Sequence, residues 1–219
     1  MAARLETVRA RILAAGGDPG SIEIVAVTKG RPPDACREAV ALGLHTLGEN
    51  RVQEALPKIA EVRGASWHLI GHLQSNKVRL AAGRFSLIQS VDSARLAEAI
   101  ARHAPSQRVL VQVNVSREAG KQGVAPEDAL ELCALVADGL GLDGLMGMGP
   151  AVGDPAPAFR ALADLRRRAE QRLGRPLPLL SMGMSEDLEA AVAAGTTMLR
   201  LGRSIFSRAP EAAVGAPPP

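Results

Sequence analysis

Tyrosine does not occur in this chain, and the other aromatic residues come to one Trp and three Phe. Aliphatic side chains must therefore fill the interior, and no phenol is on hand for acid–base chemistry. Cysteine is nearly as scarce. Cys36 and Cys133 fall inside helical patterns, DACREAV and ELCALVA, with no CxxC spacing, which speaks against a disulfide framework and for two buried thiols in a reducing compartment. No apolar run approaches the ~20 residues of a membrane span. The N-terminal MAARLETVRARILAAGG carries charges at helical spacing where a signal peptide has an apolar core, so the expected location is cytoplasmic. Net charge is only +3, and the arginine excess is scattered rather than clustered, which argues against nucleic acid as a partner.

Lysine is the rare base: Lys29, Lys58, Lys77 and Lys121 stand among twenty-two arginines. Lys29 ends IEIVAVTKGRPP, a β-branched run broken by Gly30, Pro32 and Pro33. In an extended strand Glu23, Val25, Val27 and Lys29 share one face and Ile22, Ile24, Ala26 and Thr28 the other, and the prolines stop the ladder. The run reads as a buried strand delivering Lys29 to the rim of a sheet. A lysine beside apolar walls loses its charge more readily than one in water, and the neutral amine is the form that makes a Schiff base. A strand-end lysine reaching only into solvent is the plainer alternative.

Around this run, strand and helix patterns alternate. An amphipathic helix over residues 2–15, with Leu5, Val8, Ile12 and Leu13 on one side, precedes the series. The strands are the Lys29 run, LHTLGEN, SWHLIGH, FSLIQSV, RVLVQVNV, GLDGLMGMG, LPLLSMGM and TMLRLG. Each leads into a helical segment, among them one capped by Ser93, one started by Pro126, one begun at Ser185 and a last short helix at SIFSR. Eight βα units without hairpin signals predict an α/β fold, a single (β/α)8 TIM barrel with an extra N-terminal helix. A doubly wound open sheet is the alternative, but no GxGxxG follows the first strand. Residues 1–208 are expected to form the barrel and 209–219, rich in Pro and Ala, a disordered tail.

Functional groups in such a barrel gather at the C-terminal strand ends. There the sequence places Lys29, Glu49 with Asn50, His72, Asp92 with Ser93, Asn114, Ser181 with Ser185, and Arg200 with Gly202 and Arg203. In the fifth strand Leu110, Gln112 and Asn114 alternate onto the barrel interior. In the eighth, Met198, Arg200 and Gly202 do the same, so Arg200 points into the mouth that holds Lys29. The Arg-Leu-Gly-Arg-Ser segment offers backbone amides to a phosphate. Ser181 is the preferred hydroxyl for that phosphate, because Ser185 ahead of Glu186-Asp187-Leu188 reads as a helix cap. Glu49 is a candidate general base or a salt-bridge partner. His68 and His72, four apart in a strand without an adjacent catalytic glutamate, do not read as a zinc pair. Met146, Met148, Met182 and Met184, with no cysteine to join them, read as packing.

From about Ser21 to Phe206, the motifs VAVTKG, LGENRVQEA, WHLIGHLQSNK, SVDS, VQVNVSREAGKQG, GLMGM and LSMGMSEDLEAAVAAGTTMLRLGRSIF together resemble the pyridoxal phosphate homeostasis protein family, whose fold is similar to the N-terminal barrel of alanine racemase. The resemblance implies pyridoxal 5′-phosphate as cofactor and a Schiff base on Lys29. It also implies Asn50 near the ring substituents, Arg200 facing the pyridine nitrogen, and Ser181, Gly202 and Arg203 at the phosphate. Lys77 and Lys121 match family lysines near the rim. Where family members often have a small hydroxyl residue after the glycine, this chain has Arg203, which leaves the backbone amide as the contact there.

An arginine opposite the ring nitrogen disfavours its protonation and weakens carbanion stabilisation. The racemase's second base is a tyrosine from another domain, and this chain has neither a tyrosine nor the length expected for that domain. The expected role is therefore a carrier or regulator in intracellular cofactor homeostasis, without strong catalysis of its own, with pyridoxal phosphate-dependent enzymes as recipients. No long apolar stripe demands a dimer, so a monomer is expected. A racemase-like enzyme acting on amino acids is the alternative, and a Schiff-base aldolase acting on a sugar phosphate is a third reading.

Overall fold

All eight expected strand runs form short parallel strands, and the strands close on themselves. The computed structural model describes residues 1–206; the segment read as a disordered tail lies outside them. Strands β1 (Glu23–Val27), β2 (Thr46–Glu49), β3 (Ser66–Leu69), β4 (Leu87–Val91), β5 (Arg108–Val113), β6 (Gly141–Gly147), β7 (Leu179–Ser181) and β8 (Met198–Leu201) run in order round a closed barrel, with β1 paired to β8. Strands covered on both faces need apolar side chains on both, which the aliphatic-rich composition supplies. Val25, Leu87, Leu110, Met146 and Met198 fill the interior. Alternate residues such as Ala26, Leu47, Val109 and Leu199 pack outward under the helices.

Among the described residues seven helices follow the strands: α2 (Pro33–Ala41), α3 (Val52–Glu61), α4 (Val78–Ala81), α5 (Ala94–His103), α6 (Ala129–Gly139), α7 (Ala156–Leu173) and α8 (Leu188–Ala193). A 3-10 turn at Ser75–Lys77 leads into α4. The Ser93 hydroxyl caps α5, accepting from the Leu96 amide at 3.4 Å. Helices α6 and α8 begin later than expected, at Ala129 and Leu188, each after a turn. Residues 202–206 form a turn closed by the Ile205 and Phe206 amides donating to the Gly202 carbonyl at 3.1 and 2.9 Å, and the end of the expected last short helix lies outside the described residues.

The N-terminal helix α1 (Ala2–Ala14) buries Leu5, Val8 and Ile12, while Leu13 is 67% exposed. Positions 5, 8 and 12 fall on one stripe of a 3.6-residue period, and position 13 lies about 100° round from it. Arg11 joins α1 to α8, its Nε donating to Glu189 Oε1 at 2.6 Å. Both cysteines are buried and free, and burial pushes the Cys133 thiol up to about 12. Among the described residues no helix is long and apolar enough to cross a membrane.

Candidate functional site

A cavity of about 350 Å³ opens at the C-terminal ends of the strands, within the size range of small-molecule sites. The backbone register explains which residues reach it. Val27 lies opposite Gly48 across β1 and β2, and Lys29 and Asn50 each follow two residues beyond that pair and line the cavity. Val25 lies opposite Arg200 across β1 and β8, so Arg200 stands on the other side of Lys29, two inward-facing positions deeper. Lys29, Asn50, Arg200, Gly202 and Arg203, all anticipated from the sequence, line this one cavity.

Lys29 occupies the second position of a tight turn, in which the Arg31 amide donates to the Thr28 carbonyl at 3.0 Å. The third position, Gly30, has φ of 66°, a conformation that side-chain-bearing residues adopt only at a cost. This turn lifts Lys29 out of the strand, and its side chain is exposed. The expected burial between apolar walls is thus not what the chain builds; apolar lining is limited to Val27, Ile70, Met148 and Met184.

Arg200 is buried, and burial lowers its guanidinium to about 10, with Asp187 partly opposing that shift, so it remains cationic at neutral pH. Its Nη1 donates to Ser181 Oγ at 2.7 Å and its Nη2 to the Gly147 carbonyl at 2.9 Å. An arginine has five N–H donors, so these two bonds fix its plane and leave others for an acceptor in the cavity.

Ser181 lies beneath the cavity. It is fully buried, its hydroxyl donates to Gln89 Oε1 at 2.7 Å while accepting from Arg200, and it does not line the cavity. Ser185, read as a helix cap, lines the cavity instead. Its hydroxyl accepts from the Ser204 amide at 3.2 Å, tying the turn before α8 to the turn after β8. Asp187 holds the position preceding α8. Arg203 lines the cavity while its guanidinium pairs with Glu186 at 2.7 Å on the surface.

The polar column continues downward from Ser181. The Gln89 amide donates to His68 Nδ1 at 3.1 Å, which places the imidazole proton on Nε2. Burial holds His68 neutral, its pKa lowered from 6.5 to about 4. Because the unfolded chain binds this proton at higher pH than the fold does, stability falls as the pH drops through that window. The loss by pH 4 is on the order of 3 kcal/mol. In urea melts at pH 7 and pH 4.5, His68→Asn is expected to show a visibly smaller difference than the wild type. His72 is separate from His68: it is exposed, lines the cavity, and lies 3.6 Å from Asp92.

Glu49, a candidate base, is fully buried away from the cavity and pairs with Lys58 at 2.7 Å. Lys77 lines an adjoining cavity of about 340 Å³ that shares Asn50 and His72 with the first. Lys121 lines neither; its ammonium pairs with Glu118 and donates to the Gly149 carbonyl at 2.8 Å. Gln112 reaches the cavity as strand alternation requires, whereas the Asn114 amide turns to the Glu118 carbonyl at 3.0 Å. Arg31 and Gln122 also line it and were not singled out in the sequence. The signal available for Arg31 was its place two residues past Lys29 in the same break.

The sequence model of the alanine racemase N-terminal domain matches residues 2–210. The pyridoxal phosphate homeostasis protein of Pseudomonas aeruginosa is 42% identical over 208 residues, covering 91% of this chain and 90% of that protein. Among solved structures, PipY of Synechococcus elongatus PCC7942 without PLP superposes with a TM-score of 0.86 at 35% identity, covering 94% of this chain and 100% of that one. The same protein with PLP bound gives a TM-score of 0.81 at 35% identity, over 94% of this chain and 99% of that one.

Proposed function

The chain belongs to the pyridoxal phosphate homeostasis protein family, and from that premise we propose that its cavity binds pyridoxal 5′-phosphate on Lys29 and that the protein is a carrier or regulator of the cofactor in the cell. One observation carries the reading. Lys29, Arg31, Arg200 and Arg203 line the cavity, and no described residue lining it is acidic. Such a lining favours an anion, and a phosphate monoester carries between one and two negative charges at neutral pH. The amine of Lys29 suits an aldehyde: its nitrogen bonds the aldehyde carbon, one water leaves, and a Schiff base holds the ligand.

In this reading the backbone amides of Gly202 and Arg203 meet the phosphate, and Ser185 provides the hydroxyl contact that buried Ser181 cannot. Asn50 stands beside the ring substituents. When bound, the cofactor supplies an electron sink whose strength depends on protonation of its ring nitrogen. Arg200, cationic and fixed by Ser181 and Gly147, opposes that protonation and keeps the sink weak. The chain also has no tyrosine to act as a second base. Both features support holding over turnover. The role implies pyridoxal phosphate-dependent enzymes as recipients, a cytoplasmic setting and a monomeric barrel.

Mixing the purified protein with pyridoxal phosphate should give a visible absorbance band, with no turnover of a panel of amino acids. A protein that stays colourless, or that racemises members of the panel, would contradict the proposal. Ser185→Ala is expected to weaken binding roughly tenfold, the worth of one hydrogen bond to a charged group, without loss of the band. Equilibrium titration of the absorbance checks this.

A further inference from the structure

Lys29 and Asn50 each stand one residue beyond a member of a buried ionic cluster for which the proposed function has no use. Lys58 projects inward from α3, its side chain only 9% exposed. Its ammonium donates to the Thr28 carbonyl at 2.8 Å and to Glu49 Oε1 at 2.7 Å. The Thr28 hydroxyl donates to the same Glu49 oxygen at 2.5 Å. Gly48 faces the barrel interior, where an added Cβ would lie 2.8 Å from Val25, so its neighbour Glu49 faces the helix layer. The cluster therefore sits behind the barrel wall, beneath the two strand ends that reach the cavity.

The arrangement joins those ends. The last backbone bond between them runs from the Thr28 amide to the Gly48 carbonyl at 2.9 Å, and no further backbone bond joins Lys29 to Asn50. The Thr28 carbonyl, already the acceptor of the turn that presents Lys29, receives its second donor from Lys58. The same ammonium holds the carboxylate of the residue before Asn50. A buried ion pair is poor evidence for stability, since a well-packed apolar pair often holds a fold as well. An apolar pair, however, has no donor for the Thr28 carbonyl and no means of fastening it to β2.

We propose that Lys58 and Glu49 are positioning residues that set the spacing of Lys29 and Asn50, and through it the affinity for pyridoxal phosphate, without touching the ligand. The inference rests on the reading of Lys29 as the attachment site.

The test compares wild type, Lys58→Arg and the double variant Glu49→Leu/Lys58→Met by thermal melting, by absorbance titration with pyridoxal phosphate, and by mapping the borohydride-trapped label. The double variant removes both charges and leaves no lone buried ion. It is expected to melt close to the wild type, to bind at least about tenfold more weakly, and to carry a smaller share of the trapped label on Lys29. Lys58→Arg keeps a cationic donor and is expected to retain most of the affinity. A folded double variant with wild-type affinity and label distribution would overturn the proposal. So would a double variant already unfolded at the assay temperature, which would assign the cluster to stability. A wild type that takes no label on Lys29 would instead contradict the cofactor reading itself, and this inference with it.

Discussion

Lys29→Ala is expected to abolish the visible band formed with pyridoxal phosphate and to weaken binding by roughly a hundredfold, about 2.7 kcal/mol. The cationic lining supplied by Arg31, Arg200 and Arg203 remains, so residual binding through the phosphate should persist. Thermal stability should hardly change, because the Lys29 side chain is exposed and surface substitutions of this kind usually stay within about 0.5 kcal/mol. Lys29→Arg sharpens the result: it restores the charge but not an amine able to form the Schiff base, and should stay colourless while regaining part of the affinity. A colourless but otherwise tight-binding Lys29→Ala would show that the covalent bond adds little to retention.

Gly71→Ala should have the second-largest effect, through the backbone rather than through any charge. Gly71 lines the cavity, and a Cβ there would lie 2.2 Å from the Asn50 carbonyl oxygen and 2.7 Å from its Cα. Backbone atoms cannot rotate aside as a flexible side chain can, so the strand end carrying Asn50 must shift. Overpacking of this kind costs roughly 1–3 kcal/mol, which for a chain of this size corresponds to a fall of about 3–10 °C in Tm. Cofactor affinity should fall as well, by about tenfold, as Asn50 leaves its place beside Lys29. Gly30→Ala provides a contrast. Its φ of 66° disfavours a side chain, but no atom lies within 4 Å of the added Cβ, so only the conformational cost of about 1 kcal/mol applies. Melting curves for the two variants separate collision from conformational strain; equal shifts would refute the collision argument.

The contrast also shows which parts of the molecule could be read along the chain. Strand and helix alternate with clear local signals, and the prolines after Lys29 mark the end of β1, so the barrel and its functional rim were legible. Parity was legible too, since alternation places Gln112 and Arg200 on the inward face. Depth was not. Ser181 ends β7 and Ser185 follows four residues later, yet Ser181 lies beneath Arg200 and Ser185 opens to the cavity. Which of them is accessible depends on strand tilt and on the stagger between neighbours, quantities that no single segment encodes.

Burial by a distant partner was equally hidden. Lys58 in QEALPKIAEV has no local feature that marks it as an inward-facing cation; its carboxylate is Glu49, in the preceding strand. Leu13 erred in the opposite direction, an apolar residue one step outside the buried stripe of α1. The helix starts at Pro126 and Ser185 were misplaced because both residues serve a turn as readily as a first helical turn.

Borohydride reduction of the protein with pyridoxal phosphate, followed by peptide mass analysis, bears most directly on the central claim. The account predicts one dominant reduced adduct, on the peptide containing Lys29. A label carried chiefly by Lys77 or Lys121, or no adduct at all, would contradict it.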